Sequence, residues 1–407
     1  MANTERSDKR PAPAVVAILA AGVILAVLLL SYAARQVAAE KPEGIPALGE
    51  LTITADMTAQ DIIRANNLPP KLVAKALDVE VASGEDLPVY WDYTLEMHGL
   101  TAAEAKDAIT RTHALMMERQ TKDFTKIFIK FGLWIVLLII PLVLLARPRM
   151  TRPWRLALLS GGVVIFGVIL GSDPSPMGTV KDMIVLAGEY RVLFMPRLIA
   201  LIVFLALVVF ANKFICSWGC QFGVLQELLY RLNRPGQKRL GVIPLIRIPY
   251  AVSNTIRIVF FAAFTLVAFA WAFDLIGPID PFKVYNPAMM MVTGFVVVIV
   301  LLVFSVVVYR PWCHLFCPFG LVSWLFERLS FIKVRVDYDK CIACKACMND
   351  CPSEAMQGIL LSHKLPSDCF SCGDCLASCP TGAVQFTRAG GVPRSQQTAE
   401  KLAKLRG

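Results

Sequence analysis

Six apolar runs constrain this chain more than any other feature: Ala14–Ala34, Ile127–Ala146, Leu156–Gly171, Val192–Ala211, Ala251–Phe273 and Ala288–Val308. A helix needs about 20 mostly apolar residues to cross a hydrocarbon layer near 30 Å thick. Inside lipid the backbone must satisfy its own polar groups, so runs of this length read as helices. Hydrophobic residues make up 56% of the 407 positions and charged ones 18%. That balance excludes a disordered chain and a wholly soluble one. The fold class expected is a polytopic α-helical membrane protein with six transmembrane helices.

The net charge of +10 would suit a nucleic-acid partner, but its distribution points elsewhere. Arg147, Arg149, Arg152 and Arg155 fall in one connection, Lys213, Arg231, Arg234, Lys238, Arg239 and Arg247 in another. Arg310, Arg328, Lys333 and Arg335 fall in a third. The opposite connections, Ser172–Tyr190 and Asp274–Pro287, hold only Lys181 and Lys283 against Asp173, Asp182, Glu189, Asp274 and Asp280. Basic residues accumulate on the cytoplasmic side, so both termini are expected there, in a multi-pass protein of a bacterial inner (cell) membrane. No nucleic acid is needed. Lys9 and Arg10 precede the first run as in a signal peptide, but its length favours an uncleaved anchor. Arg197 and Arg257 lie near the ends of their runs and are expected to snorkel to the interface.

The charge pattern divides the chain. Residues 1–34 hold the cytoplasmic N-terminus and first span, and residues 35–123 form a small helical extracytoplasmic domain. There Thr58 with Asp61, and Thr101 with Glu104, are helix-start signals, and helical patterns cover Thr58–Asn66 and Pro70–Asp78. His98 and His113 have no cysteine or acidic pattern beside them, so metal binding is not expected there. Residues 124–333 form the membrane core, residues 334–387 a cysteine-rich module, and residues 388–407 a basic tail.

All 12 cysteines fall in motifs. Cys341, Cys344, Cys347 and Cys351 repeat the spacing of Cys369, Cys372, Cys375 and Cys379, with Pro352 and Pro380 after the fourth cysteine of each run. This is the bacterial two-cluster ferredoxin spacing, in which each fourth cysteine serves the other cluster. Cys341, Cys344, Cys347 and Cys379 are expected to hold one [4Fe-4S] cluster, and Cys369, Cys372, Cys375 and Cys351 the other. Metal binding would supply much of the folding energy of so short an α+β module. Two complete runs make zinc remote, and a reducing cytoplasm argues against disulfides.

The remaining four cysteines belong to an internal repeat. Cys216, Cys220, Gly223 and Arg231 recur as Cys313, Cys317, Gly320 and Arg328 at one constant offset of 97 residues. Both copies follow inward-running spans, so the repeats share a direction and imply a pseudo-twofold axis along the membrane normal. Such an axis would bring Cys216, Cys220, Cys313 and Cys317 towards one another. They could bind a further Fe–S centre at the membrane surface, act as redox dithiols, or simply pack. Val224–Leu232 and Leu321–Leu329 read as interfacial helices on the inner leaflet. His314 has no counterpart in the first copy (Ser217) and is expected to pack.

Together these motifs resemble the NapH/NosR-type membrane polyferredoxins, which are related to the RdxA/CcoG proteins. The resemblance covers roughly Leu156–Thr387. Gln221 stands where that family has proline after the second cysteine, and residues 35–123 show no flavin attachment motif. The resemblance implies a membrane-bound iron–sulfur electron-transfer protein relaying electrons between the quinone pool and a protein redox partner. It would serve as a subunit of a quinol-oxidising oxidoreductase complex. A redox assembly or maturation factor for another metalloenzyme is the alternative. A quinone could be met near Glu189, Tyr190 and Arg191, or near Asp280, Lys283 and Tyr285, although both groups also suit an ordinary interface belt. No catalytic residue is assigned.

Overall fold

The computed structural model describes residues 11–37, 51–77, 94–120, 124–147, 150–171, 174–189, 191–234, 241–361 and 368–388. The first apolar run forms α1 (Pro13–Val37). Three helices then build a unit of their own: α2 (Ala59–Asn66), α3 (Pro70–Ala76) and α4 (Ala102–Gln120). Ile62, Leu72, Val73, Leu95, Ala105 and Ile109 are its buried core. Both helix-start signals are formed. The Asp61 N–H donates to Thr58 Oγ1 (3.2 Å) while the Thr58 N–H donates to the Asp61 carboxylate (3.1 Å). Thr101 and Glu104 make the same reciprocal pair. Pro70 opens α3, where its missing N–H costs nothing. The second pattern stops at Ala76, and Asp78 lies outside the described residues.

The core follows as α5 (Phe124–Ala146), α6 (Arg152–Gly162, continued by a π-helical stretch Val163–Ile169), α7 (Pro176–Glu189) and α8 (Met195–Ala211). Next come α9 (Phe214–Trp218), α10 (Gln221–Asn233), α11 (Tyr250–Trp271), α12 (Val292–Phe304), α13 (Pro311–Leu315) and α14 (Pro318–Phe326). All six apolar runs contain helix. Four stretches are long and apolar enough to cross a membrane: Pro13–Gln36, Phe128–Ala146, Arg152–Ile169 and Tyr250–Trp271. Met195–Ala211 and Val292–Phe304 are apolar but shorter. The last run begins in a short 3-10 segment, Pro287–Met289, and its α-helix starts only at Val292. Outward faces are apolar, with Ile18, Phe128, Ile199, Val259 and Val292 all exposed, as a lipid-facing surface requires.

Three expectations are corrected by the packing. The stretch after Cys220 is not an interfacial helix, because α10 is buried along nearly its whole length, from Gln221 to Tyr230. It lies against α6 and runs antiparallel to it. Val224 sits by Gly162 near one end, while Arg231 and Arg155 meet on Asp374 at the other. The connection read as a loop, 172–190, contains α7, packed against α11, α8 and α14. Its proline start and mixed polarity hid it among the turn signals. Arg257 does not snorkel either. It is 1% exposed and donates to Asp368 (2.6 Å) and Asn254 (2.7 Å), because the Asp368 carboxylate is itself buried and needs a cation.

The C-terminal module closes on a two-stranded antiparallel sheet. β1 (Ile332–Val336) pairs with β2 (Val384–Arg388) in the register Ile332↔Arg388, Val334↔Phe386, Val336↔Val384. Val334, Val336, Val384 and Phe386 are buried, the alternation expected of a half-covered strand. Between the strands lie α15 (Ala346–Asp350), α16 (Ala355–Leu360) and α17 (Asp374–Ala377). The module sits directly on the core: the Phe331 N–H donates to the Val209 carbonyl (2.8 Å), and Phe386 stacks near Phe214 at 6.5 Å.

Candidate metal centre

The two cysteine runs of the module are copies in conformation as well as spacing. Ala343 and Lys345 in the first have φ of 58° and 59°, and Ser371 and Gly373 in the second have 50° and 84°. Left-handed residues on both sides of a cysteine turn successive N–H groups inward and make a cradle for anionic ligands. Non-glycine residues adopt this conformation at a cost and persist there for a reason. At Gly373 the reason for glycine is space, since a Cβ would lie 2.4 Å from Leu145.

Cys341, Cys344, Cys347 and Cys379 line one recess of about 340 Å³, walled by Val336, Leu360, Ala383 and Val384. Cys379 enters from the second run, so the geometry crosses the runs. Burial pushes the Cys347 thiol up to about 12, and the charges of Cys379, Cys341 and Cys344 add to it. Cys379 moves the other way: burial raises it, but N–H donors from Val384, Thr381 and Ala383 and the Thr381 hydroxyl outweigh that and favour the thiolate. The second set is closed by Cys351. Burial pushes Cys375 well up, and the nearby thiols of Cys351, Cys372 and Cys369 push it further. Among the described residues, no three His, Cys, Asp or Glu side chains close on a single ion. Four thiols spaced round an apolar recess instead fit a body several atoms wide, as a cubane is.

The second run is clamped to the core by buried charges, which the sequence did not reveal. Arg155 pairs with Asp374 and also donates to the Cys372 carbonyl. Arg231 reaches Asp374 at 3.1 Å, Arg234 reaches Asp374 at 3.7 Å and also Asp350 of the first run at 3.0 Å, and Trp218 Nε1 donates to the Ser371 carbonyl at 3.4 Å. Asp368, just before Cys369, takes Lys213 and Arg257. Behind them Glu227 accepts from Arg231 (2.6 Å), Tyr309 Oη (3.0 Å) and Arg310. Arginines in inner connections read as topology markers, whereas here several are interior ion-pair partners. The only available signal was their proximity to the repeated cysteines.

The four repeat cysteines do converge, and they do so inside the core. Cys317 has Cys313, Cys220 and Cys216 as electrostatic neighbours, Cys216 has Cys220 and Cys313, and Cys313 has Cys220. The repeat is obeyed bond by bond. Gly219 and Cys220 N–H groups both donate to Ile215 O, and Phe316 and Cys317 N–H groups both donate to Trp312 O. Cationic side chains cross over: Lys213 donates to the Gly320 carbonyl (2.9 Å) and Arg310 to the Cys216 and Ser217 carbonyls. Gly223 and Gly320 are needed for this close approach, because a Cβ would lie 3.0 Å from Cys216 O in one copy and 2.9 Å from Cys313 O in the other. Cys317 Sγ accepts from the Gly320 N–H (3.3 Å). Ser217 Oγ, Gln226 Nε2 and Trp312 Nε1 are buried with no hydrogen-bond partner among the described residues, and the Gln226 side chain lies 3.6 Å from Cys313 Sγ. Unpaired buried donors are rare, and around thiolates they suit the acceptor sulfides of an iron–sulfur group. His314 packs on Phe370 (5.1 Å between rings) and lies 3.9 Å from Asp368.

The residues considered for quinone contact near the 274–287 connection are already engaged. Asp280 accepts from the Phe282 N–H (3.0 Å) and pairs with Lys181 (3.2 Å), and Lys283 donates to the Gly277 carbonyl (2.7 Å). Tyr285 is buried and donates to the Gln221 carbonyl (3.1 Å). Tyr190 lies outside the described residues.

Comparison with known proteins agrees with this chemistry. A family model described as a 4Fe-4S dicluster domain matches residues 340–384. A second, described as a 4Fe-4S binding domain, matches residues 193–242 and 290–336. The chain carries ferredoxin-type [4Fe-4S] domains. A candidate electron transport protein of Escherichia coli (strain K12), YccM, is 27% identical over 174 residues, which is 41% of this chain and 48% of that protein. The chain thus spans about half the length of that relative. The uncharacterized proteins MJ0749 and MJ0750 of Methanocaldococcus jannaschii are 25% identical over 46% of this chain (68% of the relative) and 27% over 38% (64% of the relative). No solved structure matches.

Proposed function

We propose that this protein is a membrane-bound iron–sulfur relay that moves electrons between the quinone pool and a protein redox partner. The observation that carries the reading is the placement of the two cysteine sets. One is clamped to the buried core through Asp368 and Asp374, while the other opens to solvent at Cys344, which is exposed. Each cluster, when bound, supplies reversible one-electron transfer. Cys341, Cys344, Cys347 and Cys379 would hold the outer cluster, and Cys351, Cys369, Cys372 and Cys375 the inner one. Cys216, Cys220, Cys313 and Cys317 would hold a third centre inside the bundle.

The chain's own residues then have distinct tasks. Arg155, Arg231, Lys213 and Arg310 offset the negative charge of thiolate-bound clusters in a low-dielectric setting. The apolar walls of Phe370, Leu376 and Met356, all buried, exclude water. The crossed ligands Cys351 and Cys379 fix the two clusters relative to each other. The chain would sit in a bacterial inner membrane with both termini cytoplasmic, its α2–α4 unit outside and its module inside. Its partners would be the bilayer, the quinone pool and a redox protein.

The test is anaerobic purification, iron and labile sulfide per chain, and EPR after adding a quinol. About twelve irons support three centres and about eight support the module alone. Clusters that dithionite reduces but quinol never does would remove the quinone pool from this reading and leave a maturation role.

A further inference from the structure

The geometry points to a quinone-headgroup site in the pocket between the start of α11, the 352–354 turn and α13. This rests on the quinone reading above and adds the place and the residues. The pocket is lined by Ile246, Tyr250, Ser253, Val308, His314 and Pro352, among others.

Three features make it suitable. First, its wall joins both sulfur sites, because His314 directly follows Cys313 and Pro352 directly follows Cys351. A ring held there would lie against His314 and Pro352, each one residue from a cysteine of a different set. Second, the Tyr250 hydroxyl is buried and has no hydrogen-bond partner among the described residues. An unpaired buried O–H carries a desolvation cost of about 1–3 kcal/mol that an acceptor oxygen would relieve. A quinone has two carbonyl acceptors on a flat apolar ring, so Tyr250 Oη would donate to one of them. Third, the wall carries an exposed apolar side chain, Ile246, which suits the start of an isoprenoid tail.

The same pocket does not suit a phosphate or carboxylate. Its one arginine, Arg247, is held by Glu354 (3.6 Å) and by the Asn349 carbonyl (3.3 Å). Glu354 also places a negative charge on the wall.

The experiment uses the full chain in lipid nanodiscs. A photoreactive azido-quinone with a short isoprenoid tail is crosslinked and mapped by mass spectrometry, and binding of a naphthoquinone is titrated by quenching of tryptophan fluorescence. Labelling is expected within 246–253 or on residues 308–314. Tyr250→Phe keeps the ring and removes the donor, and should weaken binding about tenfold. Ile246→Trp, at an exposed position at the mouth, should abolish it while iron per chain stays at the wild-type value. Labelling confined to another surface, or wild-type affinity in both variants, overturns this location while leaving the relay intact. Failure of the wild-type protein to bind any quinone overturns both readings.

Discussion

Replacing Glu227 by glutamine should loosen the seat of the iron–sulfur module without changing the shape of α10. Glu227 is 1% exposed and accepts from Arg231 Nε and Nη2 (2.8 and 2.6 Å), from Tyr309 Oη (3.0 Å) and from Arg310. Arg231 carries the contact onward to Asp374 in the module. An amide removes the charge and leaves Arg310, which is fully buried, without its anion. Breaking one side of a buried pair costs about 3–5 kcal/mol, because the surviving charge stays desolvated. At about 1.4 kcal/mol per tenfold, that is roughly two to three and a half decades in the opening equilibrium. Hydrogen exchange of the nanodisc-embedded protein, read by mass spectrometry, should show faster exchange in α10 and in residues 368–379. The separate α2–α4 unit, with its own core, should be unchanged. Glu227→Gln combined with Arg310→Met should recover part of the loss, since the stranded charge is then gone. Exchange in α10 within tenfold of wild type would refute the claim that this network holds module to core.

Cys379→Ser should lower iron by about four atoms per chain and remove the EPR signal of the cluster held by the first run, although Cys379 belongs to the second. Loss of the other signal instead would show that the runs are not crossed. Gly373→Ala places a methyl 2.4 Å from Leu145 and 3.2 Å from Arg155, at a φ of +84°. Overpacking of this kind costs about 1–3 kcal/mol, to be seen as a lower unfolding temperature in detergent. Thr58→Ala should destabilise α2 by about 1 kcal/mol, measured as lost exchange protection in residues 59–66. The Thr58 hydroxyl, and next its N–H, hold the Asp61 carboxyl below its ordinary value. The folded pKa lies below the unfolded one, so this contribution is present above about pH 4 and is lost as pH falls through the lowered value. An α2 equally protected at pH 3 and pH 7 would contradict it.

Much of the metal chemistry was written in one dimension. Ligand type and spacing are properties of a few adjacent residues, and the runs at 341–351 and 369–379 announce a two-cluster module whatever surrounds them. The offset of 97 residues between cysteine pairs likewise announced a structural repeat, and the helical runs followed from hydrophobic length. What spacing does not carry is depth and partnership. Arg231, Arg257 and Lys213 look the same in sequence whether they face water or an interior carboxylate, because the deciding anions lie far along the chain at 374, 368 and 327. The burial of α10 was hidden for the same reason, since Gln226 and Glu227 read as a solvated face until their partners close over them.

Composition and spacing alone therefore determined the apolar helical character of the chain, its ferredoxin-type cysteine runs and the repeat that organises the core. Only the tertiary structure decided that the paired cysteines meet inside the bundle, that arginines clamp one cysteine run against it, and that Tyr250 faces a pocket between the sulfur sites. Covalent neighbours set local geometry, whereas the stability of a buried charge or an unpaired hydroxyl depends on groups that folding brings from elsewhere.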